Sequence, residues 1–181
     1  MASLGPNYPL TIVNDSTLGV VSWTSLSSAG VEDGNGATAT LGILSTTKFL
    51  KCTDYGFSVP SGATINGIEV QVVRLANYYN VIDASAKIVK GGTISGTEKK
   101  DTAYWATGSY ETVTYGGASD LWGLSWTDTD INVSTFGFAL HVINESLKFT
   151  DYPKVDVVKI TVYYTSGGGS PQTDAILFGG N

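Results

Sequence analysis

In 181 residues there is one cysteine, one histidine, one arginine and one methionine, and each scarcity excludes something. Cys52 has no partner for an internal disulfide. With His141 as the lone imidazole, the chain cannot assemble a zinc site from the usual ligand types. Cys52 therefore reads as a small buried apolar residue. No run approaches the roughly 18 consecutive apolar residues that a membrane helix requires. The opening Met1-Ala2-Ser3-Leu4-Gly5-Pro6 lacks the basic start and apolar block of a secretory signal, so the expectation is a protein made in the cytoplasm without a signal peptide, which stays in the cell that makes it or leaves by lysis, and with no membrane partner. Ten basic residues against sixteen acidic ones give a net charge of -6. With Arg74 as the sole arginine and no basic stripe, nucleic acid is not an expected partner.

Helix signals are also nearly absent. What is present is 22 glycines, few charges, and β-branched or aromatic residues in short alternating runs, the composition of an all-β domain. Ile68, Val70 and Val72 alternate with Glu69, Gln71 and Val73, and Val158, Ile160, Val162 and Tyr164 alternate with Lys159, Thr161 and Tyr163. Phe136, Phe138, Leu140 and Val142 form a third inward face, and Ile82, Ala84, Ala86 and Ile88 are expected to form a fourth, with Asp83, Ser85 and Lys87 outward. Leu10–Val13, Leu18–Trp23, Ala37–Leu44 and Phe49–Phe57 are further strand candidates between Asn/Asp/Gly turns. Eight or so strands with long connections at 92–112 and 116–131 predict a two-layer antiparallel β-sandwich on a jelly-roll path. The organisation expected is an N-terminal arm over 1–9, a sandwich over 10–165, and a linker with a C-terminal arm over 166–181.

Few residues argue for chemistry. No G-x-S-x-G occurs, His141 sits in an alternating strand, and no cofactor motif is found, so the expectation is a non-enzymatic protein without cofactor. Asp128-Thr129-Asp130-Ile131-Asn132 imitates the start of a calcium loop, but Val133 stands where the turn needs glycine and Ala139 where the bidentate glutamate belongs. A turn bonding its own backbone is the simpler expectation. Trp122 and Trp126 lie in a glycine-rich connection; with Trp105 and Asp120 they would form a platform for sugar rings, or else they close an end of the sandwich. Tyr78 and Tyr79 fall at a hairpin tip, where they either meet a partner or fold back on the sheet. Lys99-Lys100 reads as a solvated pair. Past Tyr164, a Gly-Ser-Pro linker leads to Ile176, Leu177 and Phe178, an apolar run suited to docking on a neighbouring subunit, as are Leu4 and Tyr8 near the start.

Four segments, YGFSVPSGATINGIEVQVVR, KIVKGGTISGTEKK, YGGASDLWGLSWTDTDINVSTFGFAL and VDVVKITVYYT, together resemble small β-sandwich virion structural proteins of tailed bacteriophages. The resemblance spans about residues 16–165 and is most specific over Pro60–Ile68 and Asp120–Asn132. It implies a virion structural role. With the arms, this gives an expected capsid decoration or cement protein that forms a homo-oligomer, a trimer being favoured, and binds the major capsid protein or another virion protein. The alternative is a glycan- or receptor-binding module of a tail or fibre.

Overall fold

A computed structural model describes residues 1–167. Ten strands run through them: β1 (Ala2–Asn7), β2 (Thr11–Asp15), β3 (Ala37–Thr38), β4 (Phe49–Thr53), β5 (Thr64–Leu75), β6 (Val81–Lys90), β7 (Thr93–Ser95), β8 (Glu111–Gly117), β9 (Gly137–Asn144) and β10 (Lys154–Thr165). The helical pieces are one 3-10 turn at Leu26–Ala29 and a five-residue helix, α1 (Asp128–Asn132). No helix among the described residues is long and apolar enough to cross a membrane.

The strands form two sheets, one in the order β1-β10-β5-β8 with β3 beside the start of β10, the other β2-β4-β9-β6-β7. Every pairing is antiparallel, and the pairs nest: β6 with β7, β5 with β8, β4 with β9, β1 with β10. This is the wrapped double hairpin of a jelly roll, and it explains the long connections, because successive strands mostly cross between layers. The inner faces hold the predicted alternation. Ile68, Val70 and Val72 from β5, Phe138, Leu140 and Val142 from β9, and Val158, Ile160 and Val162 from β10 are all buried in one core. Each such side chain contributes on the order of 1.5–3 kcal/mol relative to exposure. Cys52 is buried among them, as a small apolar residue should be.

Three expectations are corrected. The N-terminal arm is not separate from the sandwich: Ala2–Asn7 is its edge strand, with Ala2 opposite Tyr164 and Leu4 opposite Val162. Leu18–Trp23 and the stretch after Thr38 are not strands; they make isolated bridges such as Val21 with Thr47 and Leu41 with Asp151. The third concerns β6, where the register against β9 slips between Asp83 and Ser85. Such a bulge places an extra residue in one strand and switches the face of everything on one side of it. Val81 and Asp83 thus point inward, Ile82 and Ala84 do not, and the expected phase returns only at Ala86 and Ile88. The run Ile176, Leu177 and Phe178 lies outside the described residues.

Candidate functional site: the loop end of the sandwich

At one end of the sandwich three connections adjoin: the β5–β6 connection (76–80), which crosses from one sheet to the other and is not the expected hairpin, the β9–β10 loop (145–153) and the segment 41–46 leading toward β4. Their backbones are tied together by buried polar side chains. The Asp151 carboxylate is fully buried and accepts from the backbone N–H groups of Asn77 (2.9 Å), Tyr78 (3.1 Å) and Tyr152 (2.7 Å). The buried Asn144 amide donates to the carbonyls of Leu41 (2.9 Å), Gly42 (3.0 Å) and Phe149 (2.9 Å). Ser146 Oγ accepts from Phe149 N–H at 2.8 Å. Glu145 N–H donates to the Asn80 carbonyl, tying the β5–β6 connection to the longer loop.

With their backbones anchored below, these loops carry their large side chains outward. Tyr78 and Phe149 stack with ring centroids 5.6 Å apart, both about half exposed. Tyr79, Leu147, Tyr152, Ile43 and Leu44 are exposed on the same connections, and exposed Tyr104 joins them from the β7–β8 connection. Half of the exposed large hydrophobic side chains among the described residues therefore sit at this end, a concentration that scattered surface apolar residues do not show. Tyr104 adds a polar tip, its hydroxyl donating to Glu145 at 3.3 Å.

Beneath the β5–β6 connection lies a buried charged node. Arg74, at the end of β5, is wholly enclosed, and its Nη1 donates to Asp83 Oδ1 across the sandwich at 2.7 Å. Its Nε and Nη2 reach Glu111 at 2.9 Å and Asp101 at 2.6 Å, and its guanidinium lies 4.9 Å from the Trp105 ring centre. Asp83 also accepts from Trp105 Nε1, the Tyr115 hydroxyl and Asp101 N–H. Burial pushes the Asp83 carboxyl above the ordinary range, against the pull of Arg74 and these donors. Every arm of the guanidinium is occupied, so the node is a strut between the two sheets and not a free catalytic group.

The tryptophans are elsewhere in role. Trp105 and Trp122 are fully buried, so the expected sugar platform of Trp105, Trp122, Trp126 and Asp120 does not exist as a surface. Trp122 donates to the Ile68 carbonyl at 3.0 Å and packs edge-on to Phe138. Half-buried Trp126 donates to the Leu121 carbonyl and packs edge-on to Phe136 at 5.4 Å. Asp120 accepts from Trp122 N–H and pairs with Lys99 at 2.6 Å, so Lys99 is not simply solvated; it also lies over the Trp122 ring. Trp122, Trp126, Asp120 and Lys99 close the opposite end of the sandwich, whereas Trp105 belongs to the Arg74–Asp83 node. There Asp128–Asn132 is a helical turn with a Thr127–Asp130 capping box, and Asn132 exchanges two hydrogen bonds with the Val59 backbone.

Of the expected partner residues, Tyr78 and Tyr79 stand in the loop-end cluster. Leu4 is half-buried against the core, because it belongs to an edge strand and not to an arm. Tyr8 is exposed and lines a separate shallow hollow with Gly30, Val31 and Glu32. The contribution of Phe149, Tyr152 and Leu147 was not anticipated; the short Asn144-Glu145-Ser146 polar cluster before them is the sequence signal of an anchored loop.

No protein-family model matches the chain. No curated protein matches it. Among solved structures, one described as "CBM4 structure and function" is similar over 82% of this chain and 92% of that chain, at 10% identity and a TM-score of 0.42, too distant to carry an argument about function.

Proposed function

We propose that this β-sandwich is a non-enzymatic attachment module that docks another protein through its loop end. The observation that carries the reading is the exposed aromatic cluster of Tyr78, Tyr79, Phe149 and Tyr152 on loops whose backbone is fixed from below by Asp151 and Asn144. Tyrosine and phenylalanine on rigid loops offer large contact area with little rotamer freedom to lose, so binding energy is not consumed in ordering the surface. The resemblance in sequence to tailed-phage structural proteins supports a virion setting: the partner is the major capsid protein or another virion protein, and the module decorates or cements the shell as a homo-oligomer. Many weak copies on a lattice suit a modest contact at each site.

The test is occupancy on assembled particles. The copy number of the protein on purified virions is measured by quantitative mass spectrometry, with cross-linking to locate the contact. A Tyr79→Ser, Phe149→Ser double variant should fold with an unchanged melting midpoint and lose at least tenfold in particle binding, as expected for two interface aromatics. Absence from particles, or undiminished binding by the double variant, overturns the reading.

A further inference from the structure

The edge strands of the two sheets are β1, β8, β2 and β7, and among the described residues three of these edges are blunted. β7 has only three residues. β1 carries Pro6 and a break in register between Leu4 and Asn7. Along β2, the Asn14 side chain exchanges hydrogen bonds of 2.9 and 2.8 Å with the Trp23 backbone, which ties a crossing segment to that strand. β8 has no such device. It pairs with β5 on one side, from Arg74 opposite Glu111 to Ile68 opposite Gly117, and among the described residues no strand pairs with its other side. It holds neither lysine nor proline. Its exposed side chains are those of Thr112 and Thr114, and Glu111 is drawn toward Arg74 at 2.9 Å. Val113 packs on the core yet is only half-buried at this edge, whereas Val72 opposite it is wholly buried. Gly116, at φ 69°, turns the strand aside and leaves Glu111–Tyr115 as the open run.

An open edge takes an extended segment by main-chain pairing, with alternate side chains falling on the core side. The chain itself supplies one. β10 ends at Thr165 opposite Thr64, the first residue of β5. Gly167 lies against Gly62, whose carbonyl an added Cβ would strike, and Gly67 is covered as closely by Gly117 and Ala118 at the end of β8. The exit of the chain and the end of β8 thus flank the same opening residues of β5. Because β10 and β8 both run antiparallel to β5, a chain that doubles back after Gly167 meets β8 antiparallel. Beyond that point the sequence has a Gly-Ser-Pro stretch and then Ala175-Ile176-Leu177-Phe178. Reach selects the register. Tyr115 stands level with Val70 and Ile160. The place beside it is three strand spacings from β10, about 14 Å, and about 23 Å back along the strand, so roughly 27 Å from Gly167. The nine residues from Gly167 to Ile176 span about 30 Å when extended, which carries Ile176 to Tyr115 and little further. Phe178, two residues on, then falls beside Val113 on the core side.

We infer that residues 175–179 form an added strand on the free edge of β8, antiparallel to it, with Ile176 beside Tyr115 and Phe178 beside Val113. This is separate from docking through the loop end. The test compares the full chain with an Ile176→Pro, Leu177→Pro double variant. Both changes lie outside the sandwich, and since neighbouring N–H groups of a strand point to opposite sides, one of the two removes a donor that faces β8. Amide hydrogen exchange at Thr112–Tyr115 is followed by NMR. The amides that face away from β5 should exchange at least tenfold more slowly in the parent than in the variant, with those of β9 unchanged. A nuclear Overhauser contact between the Phe178 ring and the Val113 methyls should be present in the parent, lost in the variant, and confined to one chain when labelled and unlabelled protein are mixed. Equal exchange in parent and variant, no Phe178–Val113 contact, or a contact only between different chains, the mark of a second copy's segment on the edge, would overturn the inference.

Discussion

The two ends of the sandwich are built from similar raw material and finish in opposite states. At one end a glycine-rich connection carries Trp122 and Trp126; at the other, two connections that cross between the sheets carry Tyr78, Tyr79 and Phe149. At the first, backbone freedom lets the rings turn in. Gly116 adopts φ 69°, and a Cβ there would come within 2.7 Å of the Trp122 indole nitrogen. At the second, short polar side chains bind the backbone downward and leave the rings out. Whether an aromatic loop seals a core or presents a surface thus depends on where its backbone hydrogen bonds are satisfied.

Breaking each end should make the contrast quantitative. The largest loss is expected from the strut between the sheets. Arg74→Met leaves Asp83 buried without its counter-charge and should cost about 3–5 kcal/mol in urea denaturation. Trp122→Ala should cost a similar amount, roughly 3–5 kcal/mol by the same measurement, because it opens a cavity at the sealed end. Asp151→Ala removes the acceptor for three N–H groups. A loss of about 1–3 kcal/mol is expected, with hydrogen exchange accelerated at Asn77, Tyr78 and Tyr152 and not at Trp122.

A smaller effect follows from pH. Burial holds the His141 imidazole below its ordinary value, with the Thr47 backbone and the charge of Glu98 pulling the other way. As pH falls through about 6.5, the unfolded chain takes up the proton first, so stability is lost from there down to the lowered folded value. The melting midpoint should therefore drop between neutral pH and mildly acidic pH, and His141→Gln should flatten the slope. Tyr79→Ser should be the mildest, within about 0.5 kcal/mol of the parent in stability, since the side chain is 65% exposed. An equal cost for Tyr79→Ser and Trp122→Ala would erase the distinction between the ends.

Much of the fold was legible because period-two alternation has one physical meaning. The inner faces of β5, β9 and β10 follow from Ile68, Phe138 and Ile160 and their neighbours two apart. Nesting of the strands was legible only as long connections. The β6 bulge was hidden, since Ala84 continues the apolar alternation of Ile82 and Ala86 between polar Asp83 and Ser85, and nothing local marks it as extra. Arg74 stood out as the sole arginine, yet its burial depends on Asp83, which the bulge alone turns inward. The tyrosine pair was visible in its turn between two strands, though that turn crosses between sheets and is no hairpin, and the stacking of Tyr78 on Phe149 joins residues 71 positions apart, beyond any local pattern.

The bulge at Ala84 makes β6 sensitive to length rather than to composition. Its side chain is small and only half-buried, so substitution by another small residue there should be cheap. Removing it is a different event. A chain one residue shorter at that point would keep Ala86 and Ile88 in the core and send Asp83 to solvent, or keep Asp83 and expel both apolar residues. In either frame the two sheets would lose a connection that each needs. Ala84 is thus a position whose occupancy the geometry requires more than its identity, and single-residue deletions, usually tolerated only in loops, should be tolerated less here than in the connections of the molecule.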